Sequence, residues 1–388
     1  MPVSILLYFM STKTANIYIN NFINNIIAIR KLYDQSVKMC IPVKAQAYGH
    51  GAVRIAQEAL GAGVDCLAVA AVEEGAELRN HNINCPILLL SIAGKEELDA
   101  VIENDLTCLI HSREYAAMLA NSAKIKNKKA HIHIKIDTGM GRIGCIPEQT
   151  ASLASFIHTC DELSLDGVCT HLSVSDSLDY NDKQFTHHQI KLFSDAVNSI
   201  KNLGIEPGII HCSNSGAVFL HPDSCFDMIR PGIAVYGYYP NPAIAEYMHN
   251  ENPRFAGLKP VMELCSMISQ IKTVEKGQSV SYGRTWTAES NTIIGSIPMG
   301  YADGLHRCFS PGIFVSIKGK QYPIIGRICM DQCMVDLGTD NSIREGDNVI
   351  FFGPDSTCLT ADDFAAIGKT ISYEVLTSIG QRVRRIYK

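Results

Sequence analysis

A surplus of positive charge, paired cysteines and long apolar runs are all missing from this sequence, and each absence closes off a class of function. The 388 residues carry a formal net charge of −5, which leaves no basic footprint for nucleic acid. Fourteen cysteines are scattered without one Cys-x-x-Cys pair or a regular framework spacing. They read as reduced, buried thiols of a cytoplasmic protein rather than as a disulfide scaffold. Cys329 and Cys333 flank Met-Asp-Gln, which is not a usual zinc spacing, and no metal is expected. The chain opens on apolar residues through Ile5-Leu6-Leu7-Tyr8-Phe9, but no cation precedes them and no small-residue cleavage site follows. That stretch is too short to span a bilayer, and no later one is a membrane candidate. Met10 is an alternative natural start, because organised sequence begins near Lys13.

What is present is the composition of a globular protein, 46% hydrophobic and 19% charged, on a chain long enough for two domains. From Lys38 to Gly237 short apolar, β-rich runs alternate with helical patterns. The runs are Met39–Val43, Cys66–Ala70, Pro86–Leu90, Thr107–Ile110, His131–Ile136, Gly167–His171, Gly208–Cys212 and Asp227–Val235. Between them lie segments such as Val72–Arg79, Glu114–Ile125, Gln149–Cys160 and Gln184–Leu203 with three-to-four-residue apolar spacing. Eight strands, most followed by a helix, are the count of a (β/α)8 TIM-type barrel, with a doubly wound open sheet as the competing architecture. After about Asn252 the pattern changes to short strands, among them Cys265–Val274, Thr292–Ile297 and Phe314–Ile317, separated by turn signals such as Lys276-Gly277 and Glu345-Gly346. A helix is expected over Thr360–Ile367, opened by Thr360 as N-cap with Asp363 in its first turn. The expected fold is therefore α/β, a barrel over residues 12–252 followed by a C-terminal, mostly antiparallel β domain over 253–388.

Lys44 is the most informative residue. It closes the apolar strand Met39–Val43, where an ammonium is partly desolvated and a neutral amine, the nucleophile that forms Schiff bases, is favoured. Catalytic groups of such a barrel gather at the C-terminal ends of its strands. Lys44, Arg142, His171, Asn214, Ser215 and Arg230 all fall there. Ser215 can offer its hydroxyl at a helix start, where free amides favour an anion, and Gly232 lets backbone approach closely. Gly139-Met140-Gly141-Arg142-Ile143-Gly144 matches the dinucleotide pattern G-x-G-x-x-G after a strand. That motif needs a helix to open within the glycine run, and Pro147 delays the helix, so a nucleotide site is rejected.

These motifs resemble those of the alanine racemases, pyridoxal 5'-phosphate (PLP) enzymes of fold-type III. The resemblance rests on Val43-Lys44-Ala-Gln-Ala-Tyr48-Gly-His-Gly51, Lys135-Ile-Asp-Thr-Gly-Met-Gly-Arg142, His211-Cys-Ser-Asn-Ser215 and Met228-Ile-Arg-Pro-Gly-Ile-Ala-Val-Tyr-Gly237. It continues through Ser281-Tyr282-Gly283, Gly300-Tyr301-Ala-Asp-Gly304, Gly326-Arg-Ile-Cys-Met330-Asp-Gln-Cys333 and Ser372-Tyr373-Glu-Val375. The resemblance implies that Lys44 holds PLP covalently and serves as one proton-transfer base, with Tyr282 as the second base and His171 as its partner. Arg230 would face the pyridine nitrogen, and Arg142 the phenolic oxygen, oriented by a carbamate on Lys135. Asn214, Ser215, Gly232, Ile233, Tyr48 and Tyr373 would bind the cofactor, chiefly its phosphate. Arg142, Tyr301 and Met330 would meet the substrate, alanine.

Tyr282, Tyr301 and Met330 would come from a neighbouring subunit, implying a head-to-tail homodimer that supplies D-alanine, most often for cell wall. Two departures stand out: Gln46 replaces the usual Asn, and His171-Leu172 replaces His-Phe. A serine or broad-specificity racemase stays open, although serine-preferring relatives tend to carry Asn where this chain has Tyr373. A decarboxylase on the same barrel would need an acidic partner in place of Arg230. A non-catalytic PLP-binding barrel would usually lack the second domain.

Overall fold

Strand-forming sequence serves two different sheets, one closed and parallel, the other open and mostly antiparallel. The computed structural model describes residues 12–388. The apolar opening Met1–Phe9 and the alternative start Met10 lie outside the described residues. The chain divides into one compact unit over Phe22–Lys259 and a second built from residues 12–21 with Pro260–Lys388.

The first unit is the barrel. Its strands are β2 (Lys38–Pro42), β3 (Cys66–Val69), β4 (Ile87–Leu89), β5 (Cys108–Ile110), β6 (Ala130–Lys135), β7 (Leu163–Cys169), β8 (Ile209–His211) and β9 (Met228–Ile229). They form two parallel ribbons, β4-β3-β2-β9 and β5-β6-β7-β8. A bridge between Leu88 and Thr107 joins one seam. At the other, the Asp227 amide donates to the Ile210 carbonyl at 3.0 Å. Closure of this kind leaves no strand edge unpaired. A core cluster draws one buried residue from each of several strands: Cys40, Ala68, Leu88, Leu109, Cys169 and Met228. Cys40 and Cys169 thus act as small apolar fillers, and all fourteen cysteines are free thiols.

The helices α1 (Ile19–Arg30), α2 (Lys44–Tyr48), α3 (Ala52–Gly61), α4 (Val72–Asn80), α5 (Leu98–Glu103), α6 (Arg113–Ile125), α7 (Thr150–His158), α8 (Tyr180–Lys201), α9 (Ser215–Leu220) and α10 (Ala243–Glu251) follow along the chain. The last expected strand is shorter than its apolar run, because Pro231 removes a donor and a short 3-10 turn starts at Ile233.

The second unit holds a nine-stranded sheet. Its members are β1 (Thr14–Ile17), β10 (Met262–Met267), β11 (Gln270–Val274), β14 (Thr292–Ile297), β15 (Phe314–Ile317), β16 (Lys320–Ile325), β17 (Cys333–Gly338), β18 (Asn348–Phe352) and β19 (Arg384–Tyr387). A separate hairpin pairs β12 (Ser279–Val280) with β13 (Trp286–Thr287). Two helices complete the unit, α11 (Ala361–Gly368) and α12 (Ser372–Thr377). The expected division at 252/253, with everything from residue 12 in the barrel, needs correction on both counts. Strand β1 lies between β10 and β19, antiparallel to one and parallel to the other. Ala15 and Ile17 are buried there, and the Asn16 amide donates to Glu263 Oε1 at 2.7 Å.

No helix among the described residues is long and apolar enough to cross a membrane.

Candidate active site

The barrel brings its chemistry-bearing residues together just past the strand ends. Lys44 follows β2 and opens a turn of unusual hand: Ala45, Gln46, Ala47 and Tyr48 all have φ between +49° and +54°. L-residues avoid this region by roughly 1–2 kcal/mol each, so the surroundings must hold it. Glu74, near the start of α4, does so by accepting from the amides of Ala45, Ala70 and Ala71 at 2.5, 2.8 and 3.2 Å. Gln46 adds a bond from its Nε2 to Glu77 at 2.9 Å. Burial, with the charge of Arg142 second, pushes the Lys44 pKa down; Glu74 opposes.

Between Tyr48, Ser215 and Gly232 lies a small cradle. Ser215 Oγ accepts from the Gly232 amide at 2.7 Å. A Cβ on Gly232 would come within 2.9 Å of the Tyr48 hydroxyl and 3.7 Å of Ser215 Oγ. Tyr48 is buried, stacks on Tyr236 with centroids 4.9 Å apart, and has its pKa raised to about 12 by desolvation. Its phenol therefore stays a neutral donor. The N-cap of α9 is Asn214, whose Oδ1 accepts from the Ala217 amide at 3.1 Å. Ser215 is the first helical residue, not the cap, and this leaves its hydroxyl turned to the Gly232 backbone. Asn214 also receives Ser175 Oγ at 2.6 Å and donates to the Leu172 carbonyl at 3.0 Å. Ile233 follows Gly232, fully buried. Two hydroxyls and close backbone around a space that one methyl would fill suit the phosphate of PLP.

Arg230 directly follows β9 and is almost wholly buried. It donates to His211 Nδ1 at 2.6 Å and to the carbonyls of Thr170 and Cys212 at 3.0 and 3.1 Å. Guanidinium is a donor only, so His211 carries its proton on Nε2. That proton goes to His133 Nδ1, 2.8 Å away. Both imidazoles are neutral: burial and then Arg230 hold His211 well below its usual pKa, and burial takes His133 to about 4. His171 lies 3.5 Å from Arg230 through Nδ1. Burial lowers its pKa, followed by the charges of Arg230, Lys135, Arg142 and Lys44. Lys135, the last residue of β6, is buried and pushed down to about 8, mainly by desolvation, with Arg230 and Arg142 also lowering it.

The loop after β6 carries Arg142 on its exposed side. Asp137 Oδ1 accepts from the amides of Gly139 and Gly141 at 3.0 Å each, and Cys145 returns to bond Lys135. The glycine run is therefore a folded-back loop, and helix α7 begins only after the Pro147–Gln149 turn.

In the β unit, Tyr282 sits at the tip of the β12–β13 hairpin. Ser281, at φ +72°, donates to the Arg327 carbonyl at 2.6 Å and accepts its amide at 3.1 Å. The Tyr301 amide donates to the Cys329 carbonyl and that of Ala302 to Met330, both at 3.0 Å. Gly300 is needed for this approach, since a Cβ there would lie 2.2 Å from the Cys329 carbonyl oxygen. These ties bring the segments of Tyr282, Tyr301 and Met330 together, with the side chains 71%, 39% and 52% exposed. Fully buried Asp303 braces them by accepting from the Gly300 amide, Lys13 and Arg382. Tyr373 is the second residue of α12, half-buried in the same unit.

Three supporting residues escaped the sequence reading. Glu74 had a signal, an acid in the first turn of the helix after the second barrel strand. His133 had none, because its partner is distant in sequence, and Asp303 lay within the Gly300–Gly304 motif while its ties to Lys13 and Arg382 did not show.

Comparison with known proteins gives the family of both halves of the chain. The family described as "Alanine racemase, N-terminal domain" matches residues 17–240, and "Alanine racemase, C-terminal domain" matches residues 261–387. An alanine racemase of Treponema denticola is 47% identical over 97% of this chain and 98% of its own. A solved alanine racemase of Clostridium difficile 630 superposes with a TM-score of 0.90 at 37% identity, covering 97% of this chain and 96% of its own. A Bacillus anthracis alanine racemase, solved with bound L-Ala-P, gives 0.88 at 29% identity, covering 98% and 96%. Both halves of the chain are matched in order and nearly in full, and the chain belongs to the alanine racemase family.

Proposed function

We propose that this protein is an isomerase that interconverts L- and D-alanine with PLP by a two-base mechanism. The observation that carries the reading is Arg230: a buried, donor-only cation fixed by His211 and two carbonyls, which would face the pyridine nitrogen where an acid would suit other PLP chemistry. Ser215, Tyr48, Gly232, Ile233 and Asn214, with Tyr373, would hold the phosphate, Arg142 the phenolic oxygen, and Lys44 the aldehyde carbon. Bound, PLP supplies a conjugated ring that delocalises the electron pair left when the substrate loses its α-proton.

The chain's own groups do the rest. Lys44 Nζ, its pKa lowered, takes or returns the α-proton on one side of the substrate. Tyr282 Oη does so on the other. Neutral His171, with Nδ1 toward Arg230, keeps its proton on Nε2 and can donate it to the phenolic oxygen, which favours phenolate. Arg230 would hold the ring nitrogen, and a donor-only cation there would keep that nitrogen unprotonated and disfavour transamination. Lys135 is poised for carbamylation: its unprotonated Nζ adds to carbon dioxide and releases a proton to solvent. The new negative charge would then be stabilised by Arg142 and Arg230, whose charges already act on this amine. Exposed Tyr282, Tyr301 and Met330 would complete the site of a second copy in a head-to-tail homodimer, where Tyr301 and Met330 meet the substrate. The free thiols fit a reducing, cytoplasmic compartment.

Chiral chromatography of the product from L-alanine and from L-serine, with and without added PLP, tests the reading. PLP-dependent approach of L-alanine to an equal mixture is expected, with slower serine turnover. Failure to form D-alanine, or a preference for serine, would overturn it.

A further inference from the structure

His221 is almost wholly buried at the C-terminal end of α9, and neither of its ring nitrogens has a hydrogen-bond partner. A buried imidazole with both nitrogens unmatched is costly unless something else takes a lone pair. Two side chains that ligate metals face it. His187 on α8 meets its ring edge-on, with centroids 5.4 Å apart and planes at 83°. Asp223 lies two residues beyond. One ligand atom from each of the three residues falls within 4.8 Å of the others.

We propose that His187, His221 and Asp223 form a divalent transition-metal site, with Zn2+ as its best-matched ion, outside the catalytic groups. Two imidazoles and one carboxylate are a donor set that zinc accepts, leaving a fourth position for water. Zinc–ligand bonds of about 2.0–2.2 Å put donors about 3.4 Å apart on a tetrahedral ion. The trio must therefore close by little more than an ångström. The exposed side chains of His187 and Asp223 can rotate to do so, while His221 is the fixed member. Buried and bonded to nothing, the ring has a lone pair free for an ion. Lys183 opposes a cation here, but its ammonium is drawn toward the Tyr247 ring, 5.6 Å from the centroid. The sequence hides the site, since His187 stands far from the other two. A bound ion would clamp α8 to the end of α9, the helix that begins at Ser215.

Equilibrium dialysis of the tag-free, PLP-loaded enzyme against micromolar Zn2+, after chelator treatment, tests the proposal. One equivalent per chain should bind, with a rise in melting temperature. His187→Gln and Asp223→Ala change exposed residues, so the folded protein should survive. Each should weaken that equivalent by at least roughly tenfold, because losing a ligand costs more than the 10–100-fold typical of an outer partner. No bound equivalent in the wild type, or an equivalent retained unchanged in both variants (cysteine ligation), would overturn it.

Discussion

Arg230 and Tyr282 live under opposite conditions. In the barrel, Arg230, His211, His133 and Lys135 are buried, and each imidazole nitrogen between Arg230 and His133 has an assigned partner. In the β unit, Tyr282, Tyr301 and Met330 point outward while the backbone beneath them is tied down by Ser281, Gly300 and Asp303. Buried groups combine stability and function, so altering them disturbs both. Exposed groups on a braced loop can be replaced with little effect on the fold, and this is what a residue serving a second copy requires.

The strongest way to break that contrast is to remove the two proposed bases separately. Lys44→Ala should lower racemisation by roughly 10²–10⁴-fold or more, and borohydride should no longer attach PLP to the chain. A reducible linkage that survives would end the lysine assignment. Tyr282→Phe should lose activity on a similar scale, yet move stability by no more than about 0.5 kcal/mol because the side chain is exposed. Full racemisation by Tyr282→Phe in both directions would remove the second base.

A matched pair sharpens the comparison through stability alone. Arg230→Met leaves His211 Nδ1 and the Thr170 and Cys212 carbonyls without their donor, a loss on the order of 3 kcal/mol. Met330→Ala in the β unit should stay within about 0.5 kcal/mol. Urea unfolding of both variants would show whether the barrel is indeed the costlier place to cut. Comparable losses would mean that the exposed face is already supporting the fold.

Acid should act on the barrel through the same imidazoles. His133 has its folded pKa lowered to about 4 against an ordinary value of 6.5, so between those values the unfolded chain binds more protons. Stability is therefore full above about pH 6.5 and falls as pH drops toward 4, on the order of 3 kcal/mol for this residue. Chemical denaturation from pH 7 to 4.5 should show that slope, reduced in His133→Asn. An identical slope in the variant would assign the acid sensitivity elsewhere.

Much of this was legible in sequence where a period was long enough to see. The apolar runs at Phe314–Ile317 and Thr292–Ile297 coincide with β15 and β14, and Thr360 caps α11 with Asp363 returning the bond. The run Cys265–Val274 reads as one strand but is broken at Ile268-Ser269 into β10 and β11. Strands β1 and β19 were not legible: Asn16 interrupts the apolar run of the first, and β19 carries two arginines. Site residues showed through local motifs, whereas His133 with His211 and Asp303 with Arg382 exist only through distant contacts. Sequence spacing carries information about neighbours along an element, and it has none about partners that only closure of the barrel or sheet brings near.

One feature unites the two units despite their difference. Each proposed base adjoins backbone in the left-handed region: Ala45 to Tyr48 after Lys44, and Ser281 and Arg284 around Tyr282. Non-glycine residues there carry strain that neighbours must offset, and such strain gathers where a side chain has to be aimed. Ala45 is the clean place to measure it, being exposed and bonded through its backbone alone, its amide to Glu74 and its carbonyl from the Gly49 amide at 2.9 Å, bonds glycine keeps. Relief of about 1 kcal/mol in the fold is partly cancelled by the larger entropy that glycine gives the unfolded chain, about 0.4–1 kcal/mol. Ala45→Gly should therefore stabilise by only a few tenths of a kcal/mol, seen as a small rise in melting temperature. A clear fall instead would mean that Glu74 and Glu77 hold the turn tightly enough that its handedness costs the folded enzyme nothing.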